Sequence, residues 1–378
     1  MRCNSRKLIF FVAVDWFFCS HFLERAKAAQ NVGYEVVVVT SIERHRSNIA
    51  DAGLRVIDLG IDRRSLGLIS AFRTVKQLVT IFKEENPDIL HQVAIKPILL
   101  GGIAARIAGV QRVVNAVVGG GYTYTSTSPF MPFLRSVIGV AMRLLLNPPR
   151  SCVVFENRDD MALSIKSRQV HPNAAVLIRG AGVNLNLYPN RSTTNSTPLV
   201  VVPARLLWDK GLGEFVAAAR LLRNRKVNAR FVIAGGEDTD NRASIPPAVL
   251  AQWKTEADVE LWGFCSNMPQ VLEQADIVCL PSYREGLPKA LLEGMAAGLP
   301  CVTTNVPGCR EAVIDGKNGL LVPPRDYQAL ADALHRLILN PQLRLQMGNR
   351  GRSMAATEFA SSIVCLQTLQ VYERLLQS

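Results

Sequence analysis

The chain contains no CxxC pair and no His/Cys set at metal-ligand spacing, which argues against zinc modules and thioredoxin-like redox centres. Its eight cysteines are scattered, several inside apolar runs such as Val278-Cys-Leu280, and read as reduced core thiols of a cytosolic protein. No run of about 18 uncharged apolar residues occurs, so no segment reads as a membrane span. A signal peptide fits poorly too. Arg2, Arg6 and Lys7 precede the apolar run Leu8–Val14, but Asp15 interrupts it and His21–Lys27 continues as an amphipathic helix without a clean cleavage site. Acidic residues are missing altogether between Gly101 and Arg150, where five arginines stand.

What is present is enough for two ordinary domains: 378 residues, 48% of them hydrophobic. Short apolar runs alternate with helical stretches. Leu8–Val14, Glu35–Thr40, Ile89–Val93, Val113–Val117, Ser151–Phe155 and Ala175–Ile178 read as strands of a first half. Pro198–Pro203, Ala229–Ala234, Val259–Trp262, Ile277–Leu280, Pro300–Thr303 and Gly319–Val322 read as strands of a second. Helices between strands imply parallel crossovers, hence an α/β protein with two Rossmann-like, doubly wound sheets. The polar, proline-bracketed stretch Pro189–Pro198 reads as a linker, and Asn190 and Asn195 sit in sequons that match by chance in a cytosolic chain. Charge is uneven: residues 1–190 carry 23 Lys/Arg against 13 Asp/Glu, residues 191–378 carry 20 against 18.

Two segments of the second half carry chemistry. In Tyr283-Arg-Glu-Gly-Leu-Pro-Lys-Ala-Leu-Leu-Glu293, which follows the run Ala275–Leu280, Glu285 falls in a turn and Glu293 inside a helix. Gly286 supplies the turn, Pro288 suits the first helical position, and the free N–H groups of Lys289 and Ala290 point at an anion. The second segment, Ala204-Arg-Leu-Leu-Trp-Asp-Lys-Gly211, puts Arg205 and Lys210 on one loop at the carboxyl end of a strand, where doubly wound sheets bind ligands. A guanidinium fork and a mobile ammonium suit a diphosphate. On its own, an Arg and a Lys on a loop is ordinary solvated surface, and Glu293 alone is an exposed helix carboxylate; the two segments together favour a nucleotide-sugar pocket.

These residues, with Gly298-Leu-Pro-Cys-Val-Thr-Thr-Asn-Val-Pro-Gly-Cys-Arg-Glu311, resemble glycosyltransferase family 4 across essentially the whole chain. The stretch Ala204–Phe215 is similar to the members that extend undecaprenyl-diphosphate-linked sugars. The resemblance implies a GT-B fold with two domains facing across a cleft, at residues 1–185 and 186–358, with residues 359–378 forming a helix that returns to the first. It implies a retaining transfer from a nucleotide sugar, expected to be a UDP-sugar, with no metal and no further cofactor. In that frame Arg205 and Lys210 hold the diphosphate, Glu285 contacts donor-sugar hydroxyls, and Glu293 takes the ribose hydroxyls. Gly286, Leu287, Lys289 and Ala290 line the phosphates. Gly235 and Gly236 let the backbone approach the donor, and Trp262 lies by the base, although it reads equally as packed core. Asp238-Thr-Asp240 mimics the DxD of metal-dependent transferases but reads as a solvated loop beside Glu237.

The first half is expected to take the acceptor, a polyprenyl-diphosphate-linked saccharide, through Asp15, Trp16, Lys96, Gly120 and Tyr122, which all follow strands. Many family members carry a histidine in the loop Gly119–Tyr124, and this chain has none there. The stretch Phe130–Leu146 reads as a helix that sets Arg135 and Arg143 among apolar residues, suited to an anionic membrane surface, or as a core-facing helix with arginines at its rim. A peripheral position on the inner face of the cell membrane follows from the first reading. Nucleic acid is disfavoured, because no recognition motif accompanies the positive charge. Two other readings of the fold are a UDP-sugar epimerase or hydrolase, and a non-catalytic assembly protein on the membrane surface.

Overall fold

The structure is a computed structural model and describes residues 6–60, 67–118, 139–189, 195–256 and 258–377. The chain forms two compact units, dividing at Ala181/Gly182. The first unit also claims the last helix, Ser361–Gln377. The division falls a few residues ahead of the expected 185/186 boundary, and the expected linker, of which residues 190–194 lie outside the described residues, belongs to the start of the second unit.

The first sheet has seven strands: β1 (Lys7–Val14), β2 (Glu35–Ser41), β3 (Arg55–Asp58), β4 (Ile89–Val93), β5 (Val113–Val117), β6 (Ser151–Phe155) and β7 (Ala175–Leu177). Their order is β3-β2-β1-β4-β5-β6-β7, every pairing parallel. The second sheet has six: β8 (Leu199–Val202), β9 (Arg230–Ala234), β10 (Glu260–Gly263), β11 (Ile277–Leu280), β12 (Cys301–Thr304) and β13 (Gly319–Val322). Its order is β10-β9-β8-β11-β12-β13, again all parallel. Strand order therefore reverses between β1 and β4 in one sheet, and between β8 and β11 in the other. Ligands of open α/β sheets bind in the crevice at such a reversal.

The apolar runs are continuous rather than alternating because helices cover both faces of each sheet. In β1, Leu8, Phe10 and Val12 enter one core with the helices Asp15–His21 and Leu23–Asn31 and the C-terminal helix; Ile9 and Phe11 enter the opposite core. In the second sheet Val201, Val278 and Leu280 face one core, and Val200, Val202, Ile277 and Cys279 the other. Full burial of each such side chain contributes roughly 1.5–3 kcal/mol.

Three expectations need correction. The strand β3 was not foreseen, because it is a short edge strand whose four residues are charged at both ends and only partly buried. The amphipathic helix through His21–Lys27 is broken at Phe22, which is buried in the core between two shorter helices. The chain turns there because the ring must point inward, where it lies 4.6 Å from the Arg25 guanidinium. Pro288 is the N-cap of the helix Lys289–Ala296 rather than its first residue, with extended backbone at ψ 119°.

Candidate functional site

The loops that leave β8 and β11 flank the reversal point of the second sheet, and they are bound to each other. The Lys210 ammonium lies 2.6 Å from Glu285 Oε1, and Ser282 Oγ donates to the same oxygen at 2.6 Å. Tyr283 N–H donates to the Asp209 carbonyl at 2.9 Å. Lys210 retains only 20% of its side-chain exposure and Glu285 12%, so the pair is partly desolvated and its attraction exceeds that of a surface pair. Oε2 of Glu285 accepts no hydrogen bond among the described residues.

This close seating requires Gly211. It adopts φ +70°, and a methyl group there would fall 2.0 Å from the Pro281 carbonyl oxygen. Any side chain would push the two loops apart and separate Lys210 from Glu285.

Arg205, on the same loop as Lys210, makes an ion pair with Asp238. This corrects the reading of Asp238-Thr-Asp240 as a solvated loop: the Asp238 side chain is only 9% exposed, because the segment after β9 folds back onto the Arg205 loop. Leu206 N–H donates to the Gly236 carbonyl at 3.0 Å in the same junction. Gly235 differs from expectation as well. A methyl group on it would come 1.8 Å from the Ala204 carbonyl oxygen, so its missing side chain admits the neighbouring loop of the protein itself. Gly236 faces Phe264, with its Cβ position 3.2 Å from that side chain.

Glu293 lies in the helix that follows the β11 loop. Lys289 Nζ is 3.4 Å from its Oε1, one turn away, and the Tyr188 hydroxyl is hydrogen-bonded to it. Burial first, and the neighbouring Glu293 second, push the Tyr188 hydroxyl well above the usual phenol range, so it stays a neutral donor. The N–H groups of Lys289 and Ala290 open this helix, with Leu287 buried just before it. Trp262, expected beside the base, has its indole N–H on Glu260 Oε2 at 3.1 Å and packs its ring partly against the second unit's core.

Sequence reasoning passed over Asp209. Its Oδ1 is buried and without a hydrogen-bond partner. Burial raises its pKa from the ordinary aspartate value; Lys210 opposes the shift, Glu285 adds to it and Arg205 opposes it. The one available signal was its position directly before Lys210. Ser282 was legible only as a hydroxyl three residues before Glu285. Tyr283 donates its hydroxyl to both oxygens of Glu214 at 2.8 Å, a contact that no local sequence pattern signals.

In the first unit the expected acceptor residues behave differently. Asp15 is fully buried, and its carboxylate accepts the backbone N–H groups of Glu43, Arg44, His45 and Trp16 at 2.7–3.0 Å. Burial pushes its pKa up, but these bonds outweigh it and the net shift is downward. Asp15 therefore binds its own polypeptide, holding the loop after β2, and is not available to an acceptor. Trp16 stacks edge-on with Phe17, ring centroids 5.6 Å apart. Lys96 is the second residue of the helix Ile95–Ala108, whose N-cap, Ala94, is a non-glycine residue held at φ +74° and ψ 166°. Such a conformation costs about 1–3 kcal/mol and clusters at functional sites. Gly120, Tyr122 and Arg135 lie outside the described residues.

Residues 188–354 match the family described as Glycosyl transferases group 1, and residues 7–147 match Glycosyl transferase 4-like. Over 365 residues the chain is 26% identical to N,N'-diacetylbacillosaminyl-diphospho-undecaprenol alpha-1,3-N-acetylgalactosaminyltransferase of Campylobacter jejuni, covering 93% of this chain and 94% of that one. The chain belongs to the GT-B glycosyltransferases of the family 4 type. It is 25% identical to UDP-Gal:alpha-D-GlcNAc-diphosphoundecaprenol alpha-1,3-galactosyltransferase of Escherichia coli, over 86% of each chain. Among solved structures, Anabaena HepE in complex with UDP and glucose superposes with a TM-score of 0.80 at 18% identity, covering 98% of this chain and 100% of that one, a likeness of fold. In this glycosyltransferase the loops after β8 and β11 meet at the reversal point of the second sheet. Among the described residues, no helix is long and apolar enough to cross a membrane.

Proposed function

We propose that this glycosyltransferase moves a sugar, an N-acetylhexosamine, from a UDP-sugar to a polyprenyl-diphosphate-linked saccharide, with retention of configuration and without a metal. The observation that carries the reading is the Lys210–Glu285 pair at the reversal point of the second sheet, with Arg205 on the same loop and the N-terminus of Lys289–Ala296 beside it. Lys210 and Arg205 are held in place before any donor arrives, each by a carboxylate. A diphosphate drawing on both cations costs little reorganisation, which is how fixed charges stabilise a transition state.

In the reaction proposed, the bond between the anomeric carbon and the diphosphate oxygen breaks and negative charge collects on the leaving phosphate. The acceptor hydroxyl oxygen bonds to the anomeric carbon on the same face, and its proton passes to that phosphate oxygen. Lys210 and Arg205 stabilise the growing charge. The unengaged Oε2 of Glu285 accepts a hydroxyl of the donor sugar, and Glu293 accepts the ribose hydroxyls. The polyprenyl acceptor is supported by the activities for which the Campylobacter and Escherichia relatives are named. It implies a peripheral site of action on the inner face of the cell membrane.

The test is a donor screen against short prenyl-diphosphate sugars with mass detection. Transfer of one N-acetylhexosamine residue from the UDP donor is expected. Release of UDP without product, or epimerised sugar without an acceptor, would replace this reading with hydrolysis or epimerisation.

A further inference from the structure

We infer that the first unit carries a lipid-docking face, made by three helices on one side of its sheet, that fits an anionic bilayer. It deepens the membrane-bound acceptor proposed above and rests on that reading for its purpose, although the surface is testable without any acceptor.

The argument starts from the sheet. Ile9, Phe11 and Leu90 face the core that receives Leu78 and Phe82 of the helix Leu68–Glu85 and Ala104 and Ala105 of the helix Ile95–Ala108. Val153 and Phe155 of β6 pack with Met142 and Leu146 from the adjoining helical segment 139–145. That segment and the helix Ile95–Ala108 touch directly. Arg106 donates to the Leu144 carbonyl, and Leu145 presses on Gly102. The three helices thus form one layer, and their inward faces account for their buried side chains.

Their outward faces repeat a pattern whose apolar members, among the described residues, are left exposed. In Ile95–Ala108 the exposed set is Ile103, Arg106 and Ile107; in segment 139–145 it is Val140, Arg143 and Leu144. Both are apolar-Arg-apolar at spacings i, i+3 and i+4, which lie side by side on a helix. The helix Leu68–Glu85 presents Ile69, Phe72, Arg73 and Lys76 along one stripe, with Ile69 72% and Phe72 70% exposed. Among the described residues, most of the large apolar side chains that the first unit exposes lie on this layer.

Charge decides the partner. No Asp or Glu occurs between Asp88 and Glu156, so two of the three helices carry cations only. A protein partner would have to supply carboxylates placed opposite each arginine, whereas a layer of anionic headgroups offers phosphates at every position. A headgroup layer suits the arrangement: aliphatic and aromatic tips enter the acyl boundary while arginine stems extend to lipid phosphates.

The experiment uses the full chain and vesicle sedimentation, with phosphatidylcholine alone and phosphatidylcholine mixed with phosphatidylglycerol. Wild type is expected to bind the anionic vesicles and not the neutral ones. The variant Arg73→Gln/Lys76→Gln/Arg143→Gln should lose on the order of 100-fold in vesicle affinity. The variant Phe72→Gln/Ile107→Gln/Leu144→Gln should lose at least about tenfold at low and high salt alike. All six positions are exposed, and circular dichroism with thermal melting checks that both variants fold as wild type. Equal binding to neutral and anionic vesicles, or unchanged binding by both variants, overturns the inference. So does a dimer that the apolar variant dissolves while wild type ignores vesicles, because the face would then serve a second copy. Activity on a detergent-solubilised acceptor is measured in parallel. Its absence in wild type with vesicle binding intact would remove the proposed reaction and leave this surface standing.

Discussion

Asp15 and Lys210 occupy comparable places, each in the segment that leaves a central strand beside the point where strand order reverses. Their surroundings differ. Around Asp15 the loop after β2 supplies three backbone N–H groups, and the carboxylate is used up inside the fold. Around Lys210 the neighbouring loop supplies a single carboxylate oxygen, and the pair remains partly exposed. A charged residue at a switch point is therefore a ligand-binding group only if adjacent backbone does not satisfy it first. The same contrast holds one strand further along. His91, on β4, is sealed against Tyr372 of the C-terminal helix at 2.6 Å, whereas Glu285, in the loop after β11, is bonded among the described residues through one carboxylate oxygen only.

The comparison can be broken by exchanging what each residue is thought to do. The largest effect is expected from Lys210→Ala, which should lower kcat by about 10²–10³ if it meets charge in the transition state, with the melting temperature nearly unchanged. A large loss of stability with modest loss of turnover would put Lys210 in the Asp15 class. Conversely, Asp15→Ala strips an acceptor from buried N–H groups and should destabilise the fold by about 2–4 kcal/mol in urea unfolding. A variant of wild-type stability that is defective only with acceptor would reverse that assignment.

His91 gives a pH test of the first unit. Burial, with Arg25 secondary, pushes its pKa down to about 3 from the ordinary 6.5. A depressed base favours the folded state above its unfolded pKa, and that contribution is lost as pH falls from about 6.5 towards 3. Wild type should lose about 2 kcal/mol between pH 7 and pH 5 that His91→Gln does not lose. Parallel pH profiles for the two proteins would contradict the buried neutral imidazole.

Smaller effects sharpen the donor site. Glu293→Ala should raise donor KM by about tenfold, roughly 1.4 kcal/mol, with kcat little changed, as uniform binding is lost. Asp238→Ala should change stability by less than about 1 kcal/mol, since Arg205 is 40% exposed. A collapse of the fold in this variant would mean that the β9 loop depends on that pair.

Much of this was legible in the residues, for stated reasons. Strands such as Ile277–Leu280 announce themselves because they are buried on both faces and therefore apolar throughout. Arg55–Asp58 does not, because an edge strand needs no such run. Arg205, Lys210, Glu285 and Glu293 stand out as charges beside glycine and proline at strand ends. Their partners do not. Asp238 is 33 residues from Arg205 and Tyr188 lies far ahead of Glu293, so only the chain crossings of the sheet bring them together. Asp15 misled for the same reason: its charge is visible in sequence, and the three N–H groups that neutralise its availability are not. Gly235 was read as an approach for ligand when the approach is by Ala204, a distinction that local sequence does not encode.

The most direct test of the diphosphate site is calorimetric titration of UDP and UMP into wild type and the Arg205→Ala/Lys210→Ala variant. Wild type should bind UDP far more tightly than UMP, and the variant should lose that preference while still binding UMP. Equal UDP affinity in the two proteins would contradict the account, because the two cations would then hold no phosphate.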